Sequence, residues 1–177
     1  MDDDLRFPIG RFLAPVALTA EDRARLIGEV RDTPARLHDV IAGLSEQRLD
    51  TPYRPGGWTV RQVVHHLPDS HMNGYTRFRL ALTEEQPTIK PYDEARWAEL
   101  ADARSGPVGV SLGLLAALHA RWVALLESLQ AEQWALAYRH PDMGVVSLGT
   151  ALALYAWHGR HHVAHVTRLR ERSGWRS

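Results

Sequence analysis

Seven of the chain's ten histidines fall in two short segments. His65, His66 and His71 form one; His158, His161, His162 and His165 form the other. Neutral imidazole is the commonest protein ligand for divalent transition metals and binds through one ring nitrogen. On a helix turning about 100° per residue, His158, His162 and His165 lie within about 60° of one another. Ala151, Leu154, Tyr155 and Leu169 share that face, and Arg160 points away from it. Three imidazoles therefore occupy the stripe that faces the core. Burying them is costly unless each finds a hydrogen-bond partner or a metal ion, and no acid shares the face. Histidines at i and i+4 also place two ligands side by side on one helix. The competing reading is a set of hydrogen-bonded core histidines without a metal.

A third ligand must come from another element, and the segment around residue 65 supplies candidates. Its apolar stripe runs Val60, Val63, Val64, Leu67, His71, Gly74, Tyr75, Phe78, Leu82. Periodicity favours His71, which sits mid-stripe, with His65 and His66 on opposite flanks. Pro68 is expected to kink this helix and loosens the angular argument. The helix is thereby specified and the residue left open.

These segments belong to a pattern of four long helices with almost no strand signal. Residues 1–18, with Pro8, Gly10 and Pro15, read as an irregular arm. Thr19 is an N-cap for a helix running to about Arg31. Thr33-Pro34 is expected to break or kink it, with a second stretch from Pro34 to Ala42 ended by Gly43. Ser45–Arg48 reads as one turn and residues 51–57 as a Pro/Gly-rich loop. The next helix opens at Trp58-Thr59 and runs to about Leu82. Residues 84–110 form a long connection with a short helix around Asp93–Leu100. An amphipathic helix follows from Leu112 to Leu129, carrying His119 and Trp122 in its stripe. Residues 139–146 read as a turn, and a last helix runs from Leu148 to Arg172, closed by Gly174. The fold class is all-α: one domain over residues 1–177, a four-helix bundle with a long crossover connection.

Composition narrows the function. Lys+Arg and Asp+Glu are 21 each, which excludes the basic balance of a nucleic-acid binder or an anionic-membrane protein. There is no cysteine, hence no disulfide, thiolate ligand or thiol nucleophile. The acidic start Met1–Arg6 does not read as a signal peptide, and no apolar run approaches about 18 residues, so no membrane span is expected. A cytoplasmic location is the default.

Several motifs in order resemble the DinB-like superfamily, and within it the YfiT branch. They are Trp58-Thr59-Val60-Arg61-Gln62-Val63-Val64-His65-His66-Leu67 followed by Asp69-Ser70-His71-Met72-Asn73, together with Phe7–Gly10, Thr51–Arg54, Leu82–Glu85, Lys90–Asp93, His140–Asp142 and Trp157-His158. The likeness spans nearly the whole chain. It implies a four-helix bundle of unusual topology with one divalent metal on three histidines. The ligand preceding a Leu carries over to His66, and the H-x-x-x-H pair to His158 and His162. His161 and His165 share the same spacing and form a lesser alternative pair. His165 stands where many members have Gln, which implies a hydrogen bond to a ligand, with His161 beside it. A homodimer is implied by the resemblance alone.

Three imidazoles without thiolate suit Zn²⁺ or Ni²⁺, or Co²⁺ or Fe²⁺, rather than Mg²⁺ or Ca²⁺. Three protein ligands leave a coordination position open, as in catalytic sites. The expected activity is hydrolysis of a small molecule by activated water. The alternatives are S-transfer from an activated low-molecular-weight thiol and a non-catalytic metal-binding stress protein. Asp69 and His71 are the candidate bases. Ser70, Asn73, Arg77 and Tyr155 are further pocket candidates; Arg54 and Arg61 could meet an anionic substrate; Trp58 and Trp157 read as packing residues.

Overall fold

The computed structural model describes residues 2–175. The expected irregular arm contains one helical turn, α1 (Asp2–Arg6). The first long helix, α2 (Ala20–Ile41), is continuous. Thr19 and Asp22 cap it reciprocally, each side chain accepting the other's backbone N–H at 3.1 Å. The break expected at Thr33-Pro34 does not occur. Proline has no N–H, so the carbonyl of Val30 lacks its helical donor. His119 supplies one from another helix, with Nδ1 at 2.6 Å from Val30 O. A tertiary bond replaces the local one.

After the turn α3 (Glu46–Leu49), Thr59 and Gln62 form a second capping box and start α4 (Val60–Thr83), which runs on through Pro68. The crossover carries two short helices, α5 (Glu94–Trp97) and α6 (Ala101–Ser105), in place of the single one expected. It delivers the chain to α7 (Val108–Ser128). A 3-10 turn (Ala131–Ala135) precedes a hairpin, β1 (Ala137–His140) with β2 (Gly144–Ser147). Only a turn is expected there, because four-residue strands are too short to show a period of two. Arg139 also takes its N–H to Pro87 O (2.9 Å) and accepts from Ile89 N–H (3.0 Å), which ties the crossover to the hairpin. The last helix, α8 (Leu148–Ser173), ends on Gly174 at φ 64°, a left-handed cap that favours glycine.

α2 packs on α7 and α8, and α4 packs on the same two helices from the opposite corner. The core is two apolar clusters. One holds Val30, Phe78, Trp122, Tyr155 and Ala156; the other holds Leu37, Val64, Leu67, Leu115 and Val166. On each of the four long helices a polar group lies between its members of the two clusters. These are the Pro34-freed carbonyl on α2, His71 on α4, His119 on α7 and His158–His165 on α8.

α7 bears on the membrane expectation. By length and composition it is apolar enough to cross a bilayer. His119 and Arg121 interrupt the apolar run, so a count of uninterrupted residues passes it over. Its stripe Leu115, His119, Trp122, Val123, Leu126 is buried in the bundle, while Val110 and Leu114 are exposed.

Candidate metal centre

α8 presents His158 and His162 one turn apart, and α4 presents His66 against them. The Nε2 atom of His158 is 3.2 Å from Nε2 of both His66 and His162. One nitrogen from each of the three lies within 4.8 Å of the others, the only such group of potential metal ligands among the described residues. Burial holds all three in the neutral form: His66 is pushed down to about 4, and His158 and His162 lie well below the ordinary value. Each can therefore offer a lone pair.

The donor set fits a metal ion. Tetrahedral ligands at about 2.05 Å from zinc sit about 3.3 Å apart, close to the observed 3.2 Å. No carboxylate belongs to the group. Three imidazole nitrogens turned toward one point in a buried site have no better partner than a cation.

His165 holds His162. Its Nε2 is 3.1 Å from Arg6 O, and a carbonyl only accepts, so Nε2 carries the proton. His165 Nδ1 then accepts from His162 Nδ1–H at 3.4 Å, which leaves the His162 Nε2 lone pair facing His66 and His158. Tyr53 stacks on the His165 ring, with centroids 3.9 Å apart. His161 stacks on Trp157 instead (4.4 Å) and its Nδ1 is unpartnered. The alternative pair His161/His165 gathers no third ligand among the described residues.

The remaining candidates are dispersed. His71 is fully buried behind His158, with Nε2 3.1 Å from His158 Nδ1, and does not line the cavity. A base there would not reach substrate. The helical stripe selects His71 because it faces the core, whereas the centre opens on the flank, where His66 lies. His65 turns to the crossover, contacting Ser111 Oγ (2.7 Å) and Gly106 O (3.1 Å). Asp69, raised to about 6 by burial and then by Asp102, is also absent from the cavity wall. Asn73 donates to Asp69 O at 2.9 Å. Arg54 reaches Pro55 O (3.2 Å). Arg61 is 4% exposed and bound by Asp50 (2.6 Å), Glu46 and Gly106 O (3.0 Å), so it braces the crossover.

The cavity over the three histidines has a volume of about 570 Å³. Trp58, Ser70, Arg77 and Tyr92 line it, with His140 and Asp142 of the hairpin. Trp58 lies 4.6 Å from the His66 ring, so it is a wall of the site as well as a packing residue. Arg77 donates to Tyr155 Oη at 3.2 Å and has no carboxylate partner among the described residues. Tyr92, His140 and Asp142 are not evident as site residues in the sequence. Their motifs, Lys90–Asp93 and His140–Asp142, are visible there without a role, because the crossover and hairpin bring them in from a distance.

Comparison with known proteins agrees with this geometry. The DinB superfamily model matches residues 29–166. A protein of Bacillus cereus strain AH820, named as a candidate metal-dependent hydrolase, is 56% identical over 98% of this chain and 99% of its own length. A Bacillus anthracis strain A0248 protein of the same name is 56% identical over the same shares. YfiT from Bacillus subtilis, described as a candidate metal-dependent hydrolase with an unusual four-helix bundle topology, superposes with a TM-score of 0.96. Its identity is 47%, covering 98% of this chain and 99% of YfiT. The chain belongs to the DinB superfamily.

Proposed function

We propose that this protein is a cytoplasmic metal-dependent hydrolase of small molecules, with His66, His158 and His162 holding one divalent transition metal, Zn²⁺ or Ni²⁺. The observation that carries it is the convergence of three neutral imidazole nitrogens at the wall of a 570 Å³ cavity. An ion there supplies Lewis-acid activation of water near neutral pH. The chain's own groups bind and orient. His165 holds the His162 ring, Trp58 and Tyr92 wall the cavity, and Arg77, with no ion pair among the described residues, offers a cation to an anionic or carbonyl group of the substrate.

A second reading uses the same centre for S-transfer from a low-molecular-weight thiol. Its support is that Asp69 and His71, the bases expected from the sequence, do not line the cavity, which leaves Glu94, His140 and Asp142 of its wall as the groups hydrolysis would have to use. Hydrolysis ordinarily uses such a base, whereas a thiol bound to a metal loses its proton without one. Elemental mass spectrometry of wild type and His158→Ala, followed by ester, amide and thiol-transfer panels, separates the readings. About one Zn or Ni per chain, lost in the variant, with turnover of one panel, is expected. Metal without turnover would leave a non-catalytic metal-binding protein; no metal after reconstitution would end the enzymatic reading.

We also propose a homodimer through the outward side of α7, where Val110 and Leu114 are exposed. Light scattering reads this directly: a particle of 19.9 kDa would exclude it.

A further inference from the structure

The carbonyl of Val30 is the far end of a hydrogen-bond chain that starts at His158. Pro34 removes its helical donor, and His119 Nδ1 approaches to 2.6 Å. A carbonyl only accepts, so that nitrogen carries the proton. A neutral imidazole has one N–H, which makes His119 Nε2 an acceptor. It faces His71 Nδ1 at 2.8 Å, so His71 donates there and its own Nε2 is bare. That Nε2 lies 3.1 Å from His158 Nδ1, which must donate in turn. His158 is left with a lone pair on Nε2, the atom that faces His66 and His162.

The two middle rings are almost wholly enclosed. His71 and His119 are 0% and 1% exposed, and their rings stack at 9° between planes. They lie between the two apolar clusters, and His119 also borders a cavity of about 650 Å³ that Arg31, Pro34 and His38 line with it. Alone in water a neutral histidine prefers the Nε2–H form, which would turn a proton toward the ion. Three consecutive Nδ1–H imidazoles need an anchor, and the proline provides it.

We propose that His71 and His119, anchored on the carbonyl that Pro34 exposes, are positioning residues that lock His158 in its Nδ1–H form and aim its Nε2 lone pair into the metal centre. This rests on the three-histidine metal reading. Partners of this kind orient ligands and are worth about 10–100-fold in metal affinity.

The test joins tautomer and affinity measurements. Long-range ¹H–¹⁵N spectra of the ¹⁵N-histidine-labelled metal-free protein report which ring nitrogen carries hydrogen. Competition with a chromophoric chelator reports Zn²⁺ affinity. Wild type is expected to show His71, His119 and His158 as Nδ1–H and to bind zinc. In His119→Leu, folded by circular dichroism, His158 loses its single tautomer and zinc affinity falls about 10–100-fold. Pro34→Ala restores a backbone N–H that competes for Val30 O. It is expected to melt higher, because an interior proline is gone, yet to bind zinc several-fold more weakly. A purely structural role does not give those opposite signs. An Nε2–H His158 in wild type, or unchanged affinity in His119→Leu, overturns the proposal and leaves the metal centre standing. If His119→Leu does not fold, unchanged affinity in Pro34→Ala overturns it alone. A wild type that binds no zinc overturns both proposals.

Discussion

His66 on α4 and His158 on α8 bring their Nε2 atoms to 3.2 Å across 92 residues of sequence. An ion held by both, with His162, ties two helices that pack directly on each other. Metal binding to the folded form alone stabilises it by about 2.7 kcal/mol at one hundred times Kd. Zinc or nickel is therefore expected to raise the melting temperature of wild type by several degrees. The same ion should leave His66→Ala unmoved. Equal shifts in both proteins, read by calorimetry, would relocate the site.

Arg77 lines the cavity, and its hydrogen-bond partners among the described residues are tyrosine hydroxyls, Tyr155 Oη at 3.2 Å and Tyr138. Arg77→Met keeps the aliphatic stem and removes the cation. For an anionic substrate, KM is expected to rise at least about tenfold, the scale of a charge-assisted hydrogen bond. Metal content should stay at one per chain. An unchanged KM across anionic and neutral substrates would remove Arg77 from recognition.

Gly74 leaves no room for a side chain. A Cβ there would lie 2.4 and 2.7 Å from atoms of the Tyr155 ring and 2.8 Å from Trp122. Gly74→Ala forces rigid rings aside at a cost of about 1–3 kcal/mol, with a melting temperature lower by about 2–4 °C per kcal/mol. Because Tyr155 also holds Arg77, substrate affinity is expected to fall with it. A variant as stable as wild type would show that the rings yield.

His119 is lowered to about 4 by burial, against an ordinary value near 6.5. The folded state therefore binds fewer protons than the unfolded state between those values. Stability of the metal-free protein falls as pH drops through that window and is flat above it. Asp69, raised to about 6, opposes this in wild type and variant alike. In His119→Leu the slope of stability against pH is expected to be shallower by one proton, about 1.4 kcal/mol per pH unit. Urea unfolding of both proteins from pH 4 to 8 measures it, and parallel slopes would show that His119 does not titrate on unfolding.

The helices are legible in the sequence because their signals are local. Thr19 and Thr59 cap, the apolar stripes repeat at 3.6 residues, and Gly174 closes α8. Pro34 misleads because its local effect is reversed by a donor on α7, His119, which lies 89 residues from the Val30 carbonyl it serves. Spacing offers two pairs on α8, His158/His162 and His161/His165, and only the family resemblance prefers the first, as it prefers His66 over His71. The wheel finds the buried face, and this centre opens beside it. His119 reads as one more member of an apolar stripe, and nothing in its neighbourhood marks it as the middle of a chain that ends on His158. Arg61 is the converse case. It reads as a cation that could meet an anionic substrate, and it is 4% exposed and held by Asp50, Glu46 and Gly106 O.

The band of imidazoles between the two apolar clusters also constrains assembly. Sliding one helix along another by a turn, about 5.4 Å, would set His71 or His119 against hydrocarbon and drive Leu67 or Trp122 among ring nitrogens. Each misalignment strands buried polar atoms, so the wrong registers are penalised more heavily than an all-apolar core would penalise them. The band works as an alignment key, in the way that one buried polar residue sets the register of a coiled coil. It brings α4 and α8 into step before any ion arrives.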